Sequence, residues 1–319
     1  MEERTVKLGF LYAGQGSQHP GMGADLYEAY PAFREVFHRA EVDFDLKERC
    51  FTDSEGLLNQ TRYTQPCMVA FAAGMTAVLA ERGVRPAAAA GLSLGEYSAL
   101  HAAGVFDAKT AVELAAFRGK AMERSAQGIE SAMMAVLGLD REKLQEACEK
   151  ASEAGIVVIA NYNCPGQLVI GGEKAAVEKA AALAKAAGAK RCMPLKVSGP
   201  FHTPLMAKAG EDLASRFGGI PFGKMQIPVI FNCLGSVKRG EDRIQDLLVG
   251  QVQSSVYMED SIRAMAELVD AFVEIGPGKA LSGFVRKTVP EMPVFAVETA
   301  ADVEGLLAWL QTLTREETV

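Results

Sequence analysis

Short apolar runs alternate along the chain with longer stretches of helical spacing. Residues 6–12, VKLGFLY, read as a buried strand ending in the glycine-rich loop AGQGSQHPGMG, after which DLYEAY and FREVFHRAE carry apolar residues at helical intervals. TQPCMVAFAAGMTAVLAERG predicts an almost wholly buried helix, with Thr64 as its cap, Pro66 near its first turn and Gly83 as its stop. The alanines at 87–90 favour helix by propensity, yet GLSLGEYSALHAAG after them reads as a tight turn and a helix, which assigns 87–90 to a strand.

From about residue 132 the order becomes strand MMAVLGL, helix DREKLQEACEKAS, strands VVIANYN and QLVIGG, helix EKAAVEKAAALAKAAG and strand AKRCMPLKV. A β-α-β-β-α-β order is the ferredoxin-like arrangement, and ~70 residues suit one small domain. Beyond it IPVIFNC, DAFVEIG, the loop and helix GPGKALSGFVRK, and PVFAVE resume the alternation. The fold class is therefore α/β: a large domain with a mainly parallel sheet at 1–128 and 199–319, interrupted by a ferredoxin-like domain at 129–198.

Composition narrows the function. With 319 residues, 49% apolar and 23% charged, the chain is an ordinary globular mixture with a substantial core. A formal charge of −7 argues against a nucleic-acid partner, which would call for a basic surplus. Six cysteines without a Cys-x-x-Cys pair suggest neither a zinc site nor a redox motif and fit a reducing cytosol. The start, MEERTVKLGFLYAGQGSQ, is acidic with too short an apolar run for a signal peptide, and no later segment reads as the roughly 18 apolar residues of a membrane span. A soluble, cytoplasmic, unprocessed protein is expected.

Gly91, Ser93 and Gly95 form a Gly-x-Ser-x-Gly pattern where the strand at 87–90 meets a helix. In a strand-to-helix elbow such glycines relieve crowding around an exposed serine, and the helix N-terminus offers N–H groups to a developing oxyanion. The pattern alone is weak, since an ordinary turn also accounts for it, and a serine hydroxyl needs a positioned base. His101 lies eight residues on, ~12 Å along a helix and out of direct reach. His38 sits with Arg39 and Glu41 on a solvated type of helix face, and His19 lies in the glycine-rich loop. His202, in KVSGPFHTPLM at a domain junction where clefts form, stands first by elimination. A third member of a triad is harder to find. Asp107, placed at the end of the elbow helix, and Asp140, placed as an N-cap, are the aspartates between Ser93 and His202, and the chain has no HGGG-like loop and no Asp-Gly pair. If His202 is oriented at all, a backbone carbonyl is one group that could do it.

AGQGSQHPGMG, TQPCM, GLSLGEYSAL, FRGKAM, NYNCPGQLVIGG, GPFHTPLM, VGQVQSS and EIGPGKALSGFVRK follow one another in an order that resembles the malonyl-CoA:acyl carrier protein transacylase family over essentially the whole chain. The resemblance implies an α/β-hydrolase-like large domain, the inserted ferredoxin-like domain, and an active site in the cleft between them. It implies that Ser93 accepts the acyl group, that His202 is its general base, and that Gln251 orients His202 through its backbone carbonyl. Gln15 and Leu94 would lend N–H groups to an oxyanion hole. Arg118 would hold the malonyl carboxylate, where the residue alone would be read as a solvated helix charge. Asn161 would contact substrate; Asn163 and the GPGKALSG turn recur beside it. Phe201 resembles the Phe-His pairing of malonyl-selective acyltransferases, a ring that would crowd the α-methyl of methylmalonyl, with core packing as the plain alternative.

The reaction implied is ping-pong transfer of malonyl from malonyl-CoA to the phosphopantetheine thiol of acyl carrier protein, supplying fatty acid synthesis, with no metal and no cofactor, since the coenzyme A thioester is a substrate. The expected partners are malonyl-CoA and an acidic carrier, docked on Lys190, Arg191 and Lys196 or on Arg286 and Lys287, with neither nucleic acid nor membrane and with a monomer among the open assembly states. Two positions depart from the family pattern: Leu92 replaces a common histidine, and Gly250 stands where arginine is frequent. A serine esterase or thioesterase, a trans-acting polyketide-synthase acyltransferase and a catalytically silent acyl-binding scaffold stand beside this reading.

Overall fold

The structure, a computed structural model, describes residues 6–316. The acidic start on which the signal-peptide argument rests, Met1–Thr5, lies outside the described residues. The chain opens with strand β1 (Leu8–Tyr12) and helices α1 (Ala24–Ala29), α2 (Pro31–Arg39), α3 (Leu46–Phe51) and α4 (Thr61–Glu81). Strand β2 (Ala88–Gly91) leads into α5 (Gly95–Ala102) and α6 (Ala108–Ala126). Then come β3 (Ser131–Leu137), α7 (Arg141–Ala151), β4 (Val157–Cys164), β5 (Gln167–Glu173), α8 (Lys174–Ala186) and β6 (Arg191–Pro194). The remainder is α9 (Ala207–Phe217), β7 (Ile230–Phe231), β8 (Ser236–Val237), α10 (Ile244–Gln251), β9 (Val256–Tyr257), α11 (Met258–Ala266), β10 (Ala271–Ile275), α12 (Ala280–Thr288), β11 (Val294–Val297) and α13 (Ala300–Glu316).

Packing divides the chain into two compact units. The first comprises Met1–Ala116, Phe222–Ile230 and Arg263–Val319, the second Phe117–Pro221 and Phe231–Ile262. Residues 129–198, expected as a domain of their own, lie wholly within the second unit, which also takes in the end of α6, α9 and α10.

The first unit is built on a wholly parallel sheet in the order β11-β10-β1-β2, with Phe10 opposite both Val273 and Ala89. Every residue of β1 and β10 is buried, which explains why these strands read as continuous apolar runs instead of alternating. The alanines of β2 are buried too, and pairing with β1 overrides their helix propensity. Glu274, the one acid of β10, is buried and accepts the N–H groups of Leu281 (2.9 Å) and Ser282 (2.6 Å), fixing the start of α12. Its carboxyl is pushed above the usual range by burial.

Three expectations are corrected here. IPVIFNC yields only the two-residue β7, outside the parallel sheet, which Val229 touches through a single bridge to Ala89. Helix α4 begins at Thr61 with the extended Gln60 as its N-cap, so Thr64 lies inside it, donating its hydroxyl proton to the Leu58 or Gln60 carbonyl, and Pro66 falls in the second turn. By length and composition α4 could also cross a membrane, contrary to the sequence expectation; 78% of its most apolar stretch is buried inside the structure, where Phe71 meets Phe33 edge-on. Helix α3 was not foreseen, although the Asp45 carboxylate caps the Glu48 N–H at 2.9 Å.

In the second unit a five-stranded sheet runs β6-β3-β5-β4-β9. The first three neighbouring pairs are antiparallel, and β9 adds in parallel to β4, with Asn161 opposite Val256. The β-α-β-β-α-β order is thus present, and Leu144 and Cys148 of α7 and Val177 and Ala180 of α8 pack with Ile159 and Ile170 in one apolar core. All six cysteines are free thiols.

Candidate active site

In the first unit β2 ends at Gly91, opposite Tyr12, and the Leu92 N–H donates to the Tyr12 carbonyl at 3.0 Å. Ser93 then adopts φ +54°, a left-handed backbone that costs a non-glycine residue about 1–2 kcal/mol. The Gly95 N–H turns back to the Leu92 carbonyl and the Glu96 N–H to that of Ser93, so the helix starts at once. This tight reversal explains both glycines. A β-carbon on Gly91 would overlap the Gly95 carbonyl, and one on Gly95 would overlap the Tyr12 carbonyl oxygen. Gly91→Ala is expected to lower unfolding stability by about 3 kcal/mol, because backbone on both sides must shift; calorimetry showing an unchanged midpoint would contradict this account of the spacing.

The loop bearing Gln15 lies along this elbow: a β-carbon on Gly14 would stand 2.7 Å from the Leu92 carbonyl oxygen. The Gln15 side chain donates to the Thr61 hydroxyl at 3.0 Å, tying the loop to the start of α4. Among the described residues neither the Gln15 nor the Leu94 N–H has an acceptor. Leu92 is accommodated at the position of the common histidine, its side chain lying against Gly14.

Three of the four histidines are engaged elsewhere in this unit. His19 pairs with Glu298 at 2.5 Å, which raises the imidazole pKa, and Glu298 also accepts the Gly278 N–H, so His19 fastens two loops. His38 is exposed and bonds the Tyr27 hydroxyl at 2.7 Å. The His101 Nδ1 donates to the Phe106 carbonyl at 3.0 Å, and burial lowers its pKa. Asp107 opens α6 instead of closing α5, its carboxylate accepting the Thr110 N–H at 2.7 Å.

His202 belongs to the second unit, is 4% exposed and also has a left-handed backbone, φ +61°. Its N–H donates to the Val252 carbonyl at 3.2 Å, and its Nδ1 lies 2.9 Å from the Gln251 carbonyl oxygen. A carbonyl only accepts, so Nδ1 carries the proton and Nε2 keeps its lone pair. Burial first, and the Arg118 charge second, push the imidazole pKa down to about 4, against the opposing pull of the Gln251 and Ser254 carbonyls. The ring is neutral at pH 7 and fit to accept a proton.

Arg118, on α6, is completely buried, contrary to the reading of a solvated charge, and its Nη2 donates to the Gln251 Oε1 at 2.9 Å. Gln251 ends α10, where helix carbonyls lack intrahelical partners, and its backbone carbonyl is thereby open to His202. One buried residue therefore holds the imidazole by its backbone and the guanidinium by its side chain. The side-chain half has no signature in the sequence, since 133 positions separate Gln251 from Arg118.

The remaining expected residues lie in this unit too. Phe201 is buried, its ring 3.2 Å from where Gly199 would carry a β-carbon. Asn161 is half-buried on β4; Asn163 beside it is buried, with an Oδ1 that has no partner among the described residues. A β-carbon at Gly250 would meet nothing within 4 Å, so a side chain can leave the backbone there without a clash at its first atom. The structure thus brings Gln15, Ser93 and Leu94 together in one unit and Arg118, His202 and Gln251 in the other.

The chain is similar to known proteins over nearly its whole length. The acyl transferase domain family matches residues 9–311. The malonyl CoA-acyl carrier protein transacylase of Bacillus subtilis is 41% identical over 97% of this chain and 98% of its own length. Among solved structures, the malonyl CoA-acyl carrier protein transacylase of Clostridium perfringens superposes with a TM-score of 0.94 at 41% identity, covering 98% of this chain and all of its own. A type II PKS acyl-carrier protein in complex with its malonyl-transacylase gives 0.90 at 38% identity, over 95% of this chain and 99% of that one. With a family match over most of its length and full-length relatives at this identity, the chain belongs to the acyl transferase domain family, among the malonyl CoA-acyl carrier protein transacylases.

Proposed function

We propose that the protein transfers malonyl from malonyl-CoA to the phosphopantetheine thiol of acyl carrier protein through a malonyl-serine intermediate. The observation that carries the reading is the buried trio of Arg118, Gln251 and His202: a neutral imidazole whose Nδ1 proton is held by the Gln251 carbonyl, which makes Nε2 the basic nitrogen, next to a buried cation suited to a carboxylate. Ser93 Oγ attacks the thioester carbon while its proton passes to His202 Nε2. The oxyanion is met by the Gln15 and Leu94 N–H groups. As the tetrahedral species collapses, the carbon–sulfur bond breaks and coenzyme A leaves as its thiol with the proton from His202. The carrier thiol then repeats the sequence in reverse roles. A thiolate is a good leaving group, so a dyad oriented by a carbonyl suffices where a peptidase uses a carboxylate. The chemistry needs no cofactor.

Arg118 selects the donor. Its planar fork takes a carboxylate bidentately, whereas an acetyl group brings no carboxylate to it. Asn161 and Phe201 are read as further substrate contacts. The same reading makes the first unit α/β-hydrolase-like, supported by its parallel sheet and strand-elbow-helix, and makes 129–198 an inserted ferredoxin-like domain, supported by the β6-β3-β5-β4 order. The exposed Lys190, Arg191, Lys196, Arg286 and Lys287 are the docking candidates for the acidic carrier, and the product supplies fatty acid synthesis in the cytoplasm.

A transfer assay with malonyl-CoA, methylmalonyl-CoA and acetyl-CoA as donors and a holo carrier as acceptor tests the reading, with malonyl the preferred donor. In Arg118→Ala the kcat/KM for malonyl is expected to fall ~100-fold or more relative to that for acetyl, the loss of a buried charge-assisted pair. Equal losses with both donors would remove Arg118 from carboxylate recognition.

A further inference from the structure

We propose that the Gln251 side chain is a positioning residue for donor selection: its neutral amide holds the buried Arg118 guanidinium in the orientation that receives the donor carboxylate, without cancelling the charge that attracts it. The inference rests on the reading of Arg118 given under Proposed function. Its geometry is the 2.9 Å bond from Arg118 Nη2 to Gln251 Oε1, made where both residues have no solvent exposure.

The choice of an amide matters physically. A carboxylate at this position would form an ion pair with Arg118 inside the protein, and an incoming malonyl group would have to displace a bound partner of its own kind. An apolar side chain would take this anchor away, so the fork's plane would be held less firmly before the donor arrives, and ordering it would weaken binding. An amide oxygen avoids both outcomes. It accepts one of the five guanidinium N–H groups and contributes no net charge. Because the same residue fixes the His202 ring through its backbone carbonyl, the base and the carboxylate receptor are referenced to one point at the end of α10. No substitution of the side chain removes that carbonyl, so the two functions of Gln251 separate by experiment.

Gln251→Ala and Gln251→Glu are to be compared with the parent, measuring kcat and KM with malonyl-CoA and with acetyl-CoA and following thermal unfolding of each. The expected readout is the ratio of the two kcat/KM values, since a general disturbance of the fold or of His202 lowers both donors together. That malonyl-to-acetyl ratio falls ~10-fold in Gln251→Ala and ~100-fold in Gln251→Glu, mainly through a higher KM for malonyl. Glutamate is close in size to glutamine, so Gln251→Glu carries the test should the alanine variant fail to fold. A ratio within about 2-fold of the parent in Gln251→Glu, with the parent itself active on malonyl-CoA, overturns this inference and leaves the malonyl reading standing. A parent that transfers acetyl but not malonyl overturns the reading and this inference with it.

Discussion

Ser93→Ala, mixed with malonyl-CoA, is expected to show no malonyl adduct by intact-protein mass spectrometry, whereas the parent gains one that a holo carrier removes. Transfer should drop ~10⁴-fold or more, the scale on which hydrolases lose rate when their nucleophile is deleted. The elbow itself should survive. Alanine needs the same left-handed backbone that serine holds at φ +54°, and the room for a short side chain is already there, so stability should change by about 1 kcal/mol or less. The loss would then be chemical and not structural. The adduct's lifetime separates two chemistries: a transferase holds the acyl group until a thiol arrives, whereas an esterase or thioesterase releases it to water at once. An adduct that persists on Ser93→Ala would place the acyl group on another residue and end the serine mechanism.

The elbow was legible in the sequence because its causes are local. Gly91, Ser93 and Gly95 lie within one turn, and the crowding that demands the glycines comes from the same five residues and from Tyr12 on the neighbouring strand. The strands β1 and β10 were legible for the complementary reason that a parallel strand buried on both faces writes an unbroken apolar run. Thr64 misled because its hydroxyl does satisfy carbonyls near the start of α4, but from inside the first turn instead of before it. IPVIFNC misled because apolar content records burial and not sheet membership. At the site, elimination and family order singled out His202 and Arg118, yet nothing local to FRGKAM told of a guanidinium without exposure. Its partner is an amide far along the chain, and no periodicity reports a contact of that kind. The pKa of His202 was invisible for the same reason, being set by burial and by a charge 84 positions before it in the numbering of the chain.

That pKa makes the second large effect. With the imidazole pushed down to about 4, the acid limb of kcat/KM for the donor should lie near pH 4 instead of near the ordinary histidine value of 6.5. At pH 5.5 a base of ordinary pKa would be about 10% neutral and this one almost wholly so, a difference of ~10-fold in rate that needs only two buffers to see. His202→Gln should lose ~10⁴-fold, and its residual rate should lack that limb. Arg118→Ala, followed with acetyl-CoA so that carboxylate binding plays no part, should move the limb upward, because the cation that opposes protonation is gone. The linkage to stability has a definite sign. Below about pH 6.5 the unfolded chain takes up a proton on this residue that the folded protein refuses until about pH 4, so acidification across that window costs about 3 kcal/mol of stability, and the cost disappears above it. His202→Gln should therefore unfold less readily in acid than the parent does, relative to each protein at pH 7, by roughly that amount. A parent whose acid limb stands at 6.5 and whose acid destabilisation matches that of His202→Gln would show an imidazole in contact with water, and a base so exposed could not be the buried one that Gln251 holds.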